Sequence, residues 1–145
     1  KDILDHMEKL HAQLHDYYQN LSKTCTKARL QLMLDYLSEH EQMMRNKLEA
    51  YADGADKSTL STYFSFTPDK GRWEMIKNIN IKPDAEIKDV IDSILAVDDA
   101  MVSIMDEVIA DSESDKVRVL FQDIRDNACN LRKQMIRDVM MMEEC

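Results

Sequence analysis

The residues that most strongly interrupt helices all lie in one interval of this chain. Gly54, Pro68, Gly71 and Pro83 are its only glycines and prolines. Proline removes a helical hydrogen bond and glycine costs backbone entropy, so their absence elsewhere favours long helices. This distribution predicts two helical halves separated by a central connection.

Each half contains two runs of apolar residues that recur every three or four positions, as on one buried face of a helix. Polar turn residues separate the two runs near 22–26 and at 111–115, and Asp84 is expected to cap the third helix. The predicted helices span about residues 2–23, 27–53, 84–110 and 115–143, with the crossover at 54–83. We therefore predict an all-α fold, an antiparallel four-helix bundle formed as a single domain by two helical hairpins and a long crossover.

The charge of the chain excludes two classes of partner. Its 28 acidic and 19 basic residues give a formal net charge of −9. Binding to nucleic acid or to an anionic membrane surface requires clustered Lys and Arg, so neither partner is expected. No apolar run approaches the roughly 20 residues that span a bilayer.

The cysteines indicate a reducing compartment, and we expect a cytoplasmic protein. Cys25, Cys129 and Cys145 are odd in number and widely spaced, which disfavours a disulfide framework or a zinc knuckle. Cys129 has no evident activating base. Because Lys1 is not a natural start, the sequence allows for residues before it.

Histidines on the first two apolar runs fall at one level of the first hairpin. If its turn is centred between residues 25 and 26, equal rise per residue places His11 level with His40, which lies between Glu39 and Glu41. His15 then falls one turn away, opposite Tyr36.

The second hairpin adds carboxylates to this level. With its turn centred between residues 113 and 114, Asp98 lies opposite Cys129 and Asp99 opposite Ala128. If the hairpins are level with each other, one polar layer contains residues from all four helices: His11, His40, Glu41, Asp98 or Asp99, and Asn127.

Two interpretations of this layer remain open. His11 and His40 would form a mononuclear metal site with His15 or Glu41, since imidazoles four residues apart on a helix can share a metal. Alternatively, the histidines are hydrogen-bonded inside the bundle, which we favour because buried polar groups usually find protein partners. One of Asp98 and Asp99 would then pair with a histidine or reach solvent.

The segment 36–44, Tyr-Leu-Ser-Glu-His-Glu-Gln-Met-Met, resembles the second helix of rubrerythrin-type members of the ferritin-like superfamily. The resemblance implies a bundle whose two halves supply carboxylates and imidazoles to a di-iron site. Met44, however, stands where the Glu-x-x-His motif beginning at Glu41 requires histidine. His11 occupies the ligand position of the first helix, Asp98 or Asp99 that of the third, and Ala128 and Leu131 those of the fourth. The implied di-iron site is therefore incomplete.

Methionines and aromatic residues have simpler interpretations. The inner methionines are expected to fill the core. Met140, Met141 and Met142 with Cys145 suggest soft-metal binding, but three consecutive helical residues cannot all face one ligand. The crossover aromatics are expected to close the groove between the hairpins, or else to form a partner surface or a ligand lid: Tyr63, Phe64, Phe66 and Trp73.

Two hypotheses on function follow. The first is a non-catalytic bundle without a cofactor, acting through self-association as a homo-oligomer or by binding another protein. The alternative is a metal-binding oxidoreductase or metal carrier for iron, manganese or zinc. Its candidate ligands are His11, His15, His40, Glu41, Asp98 and Asp99. A third idea, a small apolar ligand between the hairpins, rests on the crossover aromatics alone.

Overall fold

A computed structural model of the chain describes residues 2–54, 78–112 and 114–144, with side chains from Leu4 to Met141. Several predictions concern residues outside these ranges. The crossover sequence also favours short helical pieces near 58–64 and 72–78, which lie outside these ranges except for Asn78, as do the crossover aromatics, the Met142 side chain and Cys145.

Four long helices make up almost all of the described residues. They are α1 (Asp2–Thr24), α2 (Ala28–Gly54), α3 (Ile87–Asp111) and α4 (Asp115–Glu144). The described ranges contain no strand, so the predicted all-α class is confirmed for them. None of their helices is long and apolar enough to cross a membrane.

The helix bounds differ from the predicted ones by at most one residue, except that α3 begins three residues later than expected. Asp84 does not cap it. Glu86 holds the N-cap position in an extended conformation and makes no side-chain cap hydrogen bond. Asp84 lies instead in a turn closed by the Ala85 N–H and the Lys82 carbonyl at 3.0 Å. Pro83 favours this turn, since proline disfavours helical conformation in the residue before it.

The connection between α1 and α2 is confined to residues 25–27, although the polar turn residues begin at Ser22. Ser22, expected to be a turn or cap residue, lies inside α1 and donates its hydroxyl to Asp35. The Gln31 side-chain amide donates to the Ser22 carbonyl at 3.1 Å. These two bonds join the end of α1 to the start of α2.

One apolar core is formed by side chains from all four helices, and Ile81 joins it from before α3. Most residues of the predicted apolar faces are buried in it. Met43 is an exception, because its side chain is exposed. Val97, Ala100 and Ile104 of α3 are also buried in the core.

Hydrogen bonds and ion pairs join the helices around this core. The Tyr36 hydroxyl on α2 donates to Asp138 on α4 at 2.6 Å. Two ion pairs, seven residues apart on each helix, connect α3 with α4: Asp99 with Arg132 and Asp106 with Arg125. The Tyr17 hydroxyl bonds to the backbone of Ile81 and so fixes the chain before α3 to α1.

Candidate functional site

A small cavity inside the core is lined by all four helices. Its volume is about 30 Å³, enough for one or two water molecules. Its polar lining is contributed by His11 of α1, His40 of α2, Asp98 of α3 and Arg132 of α4. Its apolar lining consists of Met7, Met44, Leu48, Met101, Val102, Met105, Ile124 and Ala128.

His11 and Glu41 form a buried hydrogen-bonded pair beside this cavity. Each side chain is about 3% exposed, and His11 Nδ1 donates to Glu41 Oε2. His11 lies among the apolar residues of α1, so its helical phase directs it into the core. The pair satisfies a carboxylate that would be costly to bury alone.

Asp98 presents the least satisfied carboxyl group of the site. Its side chain is half-buried, but Oδ2 is fully enclosed and has no hydrogen-bond partner among the described residues. Burial, and then the nearby Glu41 carboxylate, raise the pKa of the Asp98 carboxyl to about 7. His11 and Arg132 act in the opposite direction. Near neutral pH, Asp98 is therefore able both to hold and to release a proton.

His40 is a buried imidazole that is neutral at pH 7. Loss of hydration lowers its pKa below the ordinary value of 6.5, although the Glu41 and Asp138 carboxylates oppose this effect. A neutral imidazole has one nitrogen able to accept a hydrogen bond or to bind a metal.

Tyr18 and Arg132 belong to this neighbourhood and were not predicted as polar members of it. The enclosed Tyr18 hydroxyl lacks a partner in the described part of the chain. Burial, and then Glu41 and Asp98, raise its pKa well above the usual value. The available signal was its position: Tyr18 lies seven residues, or two turns, after His11 on the same face.

Arg132 reaches both the cavity and the surface. Its Nη1 lies 2.6 Å from Asp99 Oδ1, while its Nε is enclosed without a partner in the described ranges. The signal in the sequence was the spacing of Arg118, Arg125 and Arg132, which recur every seven residues along one side of α4.

The predicted site residues divide into two groups. His11, His40 and Asp98 line the cavity, and Glu41 contacts His11. His15 and Asp99 point elsewhere. His15 Nδ1 lies 2.8 Å from the Ser38 carbonyl oxygen, and exposed Asp99 pairs with Arg132.

The residues present do not fit the di-iron centre that the ferritin-like resemblance implies. Such a centre needs several carboxylates together with imidazoles. Here α4 contributes Ala128 and the Arg132 guanidinium to the cavity, and a cation is a poor neighbour for metal cations. Among the described residues, no three His, Cys, Asp or Glu side chains are grouped so that they could hold a metal.

Comparison with known proteins gave no match, so the function is inferred from the geometry of the cavity and its polar side chains. No protein-family model matches the chain, and neither a curated protein nor a solved structure matches it at a significant level.

Proposed function

We propose that this chain is a non-catalytic module of ferritin-like plan that acts through self-association or by binding another protein. The antiparallel arrangement is part of the proposal. It is supported by contacts between α1 and α2 in which the residue number falls on one helix as it rises on the other: His11 with Glu41, then Ser22 with Asp35. The α3–α4 ion pairs follow the same rule.

One observation carries the non-catalytic proposal: the buried Glu41 carboxylate is paired with His11 rather than free to bind a metal. Glu41 is occupied by His11, and Arg132 stands on α4 where a metal site would need a ligand. A hydrogen-bonded pair of this kind maintains a polar layer in the core without a metal.

A second observation supports association through α2 and α4. Two bonds between these helices, Tyr36 to Asp138 and Tyr51 to the Asp123 carbonyl, fix their relative level. Leu32 is then level with the last turns of α4, which carry the exposed Met140 and Met141. We call these three residues the Leu32–Met141 surface. Leu32 and Met141 are 57% and 65% exposed, and large exposed apolar side chains at one end of a bundle favour an interaction surface.

Sedimentation equilibrium across a range of protein concentrations tests this association. We expect wild type to form an oligomer, and Leu32→Ser/Met141→Ser to shift its mass toward that of the monomer. Val119→Ser is the matched control, because Val119 is 56% exposed but lies roughly 30 Å along α4 from Met140.

The control should associate as wild type does. A monomeric wild type at every concentration would exclude self-association and leave binding to a different protein. Equal effects of the control and the double variant would exclude the Leu32–Met141 surface.

A metal-binding module is the second candidate function, favoured by the enclosed and unpartnered Oδ2 of Asp98. Asp98 shares its cavity with two imidazoles, and one carboxylate with two histidines is a donor set suited to iron, manganese or zinc. Because these side chains are not grouped for coordination, they would have to move. Titration with zinc and manganese, followed by calorimetry, tests this candidate. Near-stoichiometric binding that is lost in Asp98→Asn would favour it over the non-catalytic module.

We also propose a cytoplasmic location. It rests on the cysteine pattern, with Cys25 and Cys129 both free thiols. The net charge of −9 supports protein partners rather than nucleic acid or anionic membranes.

A further inference from the structure

Two unsatisfied groups of opposite character belong to side chains that line the same cavity. Arg132 Nε carries an N–H donor, and Asp98 Oδ2 is an acceptor. Both atoms are enclosed, and neither has a hydrogen-bond partner in the described part of the chain. Arg132 is also close enough to influence Asp98 electrostatically.

The present partner of Arg132 lies at the surface. Its Nη1 binds Asp99, whose side chain is 65% exposed. An exposed ion pair contributes little to stability, whereas each enclosed group without a hydrogen bond is costly. Turning the guanidinium inward would exchange the weaker interaction for a bond that satisfies both enclosed atoms.

We propose that the Arg132 guanidinium exchanges between Asp99 at the surface and Asp98 in the cavity, and thereby acts as a gate. In the outward state it leaves the cavity open beside His11 and His40. In the inward state it fills part of the cavity and occupies the Asp98 carboxyl group. This gate is independent of whether the Leu32–Met141 surface binds a partner.

The chain contains its own comparison for this gate. Arg125 and Asp106 form the corresponding ion pair one heptad away, but there Arg125 Nε itself faces Asp106 Oδ1, whereas Arg132 contacts Asp99 through Nη1. The residue before Asp106 is Met105, whereas the residue before Asp99 is Asp98. Arg125 therefore has no second carboxylate on α3 at the position that Asp98 offers to Arg132, and its other acidic neighbour is Asp126 of α4, 3.8 Å from Nη1.

Nitrogen-15 NMR of the arginine Nε–H groups tests the exchange. The Arg132 signal is assigned by its loss in Arg132→Lys, and the Arg125 signal by its loss in Arg125→Lys. Asp99→Asn removes the outward charge from an exposed position, so the fold should persist. We expect hydrogen exchange at Arg132 Nε–H to slow by about tenfold in this variant, as a buried hydrogen bond to a carboxylate would cause.

Two further variants establish the cause. Asp106→Asn removes the carboxylate that faces Arg125 Nε and offers no inward one, so hydrogen exchange at Arg125 Nε–H should not slow. Adding Asp98→Ala to Asp99→Asn should restore fast exchange at Arg132. If Arg132 Nε–H exchanges in Asp99→Asn as fast as in wild type, or if Asp106→Asn slows Arg125 equally, the proposed gate is wrong. Asp99→Asn and Asp106→Asn alone decide this if the double variant does not fold.

Discussion

At the scale of single residues, the polar groups of the core differ in how well they are satisfied. Glu41 has a histidine partner, whereas the enclosed Oδ2 of Asp98 has none among the described residues. The two carboxyl groups lie close enough to interact, and burial adds to that interaction. The core therefore contains one stabilised carboxylate and one carboxyl group whose pKa is raised to about 7.

Removing His11 should destabilise the protein because Glu41 would lose its partner. We expect His11→Leu to lower the free energy of unfolding by about 3 kcal/mol, as measured by urea denaturation. The double variant His11→Leu/Glu41→Leu should recover most of this loss, since an apolar pair of similar size can replace a buried ion pair. A double variant less stable than His11→Leu would show that the pair has additional partners.

Asp98 should make the fold less stable as pH rises. Its pKa is about 7 in the folded protein and 3.8 in the unfolded chain, so the folded state holds the proton more strongly. The stabilisation that this difference in pKa provides is complete below pH 4 and is lost as pH rises to about 7. The free energy of unfolding falls by roughly 2–4 kcal/mol over this range.

Urea denaturation at pH 5, 6.5 and 8 measures this change. Asp98→Asn should remove the decrease, and His40→Gln is the control. The lowered pKa of His40 has the opposite effect on stability, because the stabilisation that it provides is lost as pH falls below 6.5. A stability profile that Asp98→Asn leaves unchanged would contradict the assignment.

Residue-level prediction succeeded where the helix period alone determines position. Equal rise per residue placed His11 level with His40, and the structure joins His11 to the next residue, Glu41. Equal rise per residue did not predict the position of the Arg132 side chain, because the reach of a long side chain is not fixed by the level of its backbone. Asp99 was predicted opposite Ala128 but pairs with Arg132, one turn further along α4.

At the scale of elements, the bonds between α2 and α4 hold the two halves of the chain together. The Tyr36 hydroxyl donates to Asp138 at 2.6 Å, and the Asp138 carboxylate also acts on His40. Burial, followed by this hydrogen bond, raises the pKa of Tyr36 above its usual range. The phenol therefore remains a donor across the physiological pH range.

Tyr36→Phe should lower the free energy of unfolding by about 1 kcal/mol, because it removes one hydrogen bond to a carboxylate while keeping the ring. Tyr51→Phe is the matched control on the same helix. Its bond to the Asp123 carbonyl is 3.5 Å long and exposed, so the change should have little effect. Thermal denaturation of both variants compares them. Equal losses would show that the Tyr36–Asp138 bond has no special role.

The end of α2 was predictable because glycine and proline are confined to one interval, and polar residues marked the turns between α1 and α2 and between α3 and α4. The start of α3 was not, since Asp84 has the composition of a cap but follows Pro83 in a turn. Its backbone carbonyl accepts a hydrogen bond from Lys27 at 3.0 Å, a tertiary contact that sequence spacing does not indicate.

At the scale of the whole molecule, the four helices enclose a layer of polar side chains. A metal site of a ferritin-like bundle would lie at this level, but the side chains here are not a set of metal ligands. The ferritin-like plan, which remains a proposal, would place ligands on every helix. In this chain α4 supplies Ala128 and Arg132 to the cavity instead. An arginine that alternates between two aspartates would account for a polar cavity without a metal.

The proposed module functions without a metal in its core, and the metal content of the purified protein is the sharpest test of this proposal. Protein prepared without added chelator is compared by elemental analysis with His11→Ala/His40→Ala. We expect both preparations to contain iron, manganese and zinc far below one equivalent per chain. Near-stoichiometric metal in wild type that is absent from the variant would contradict the claim.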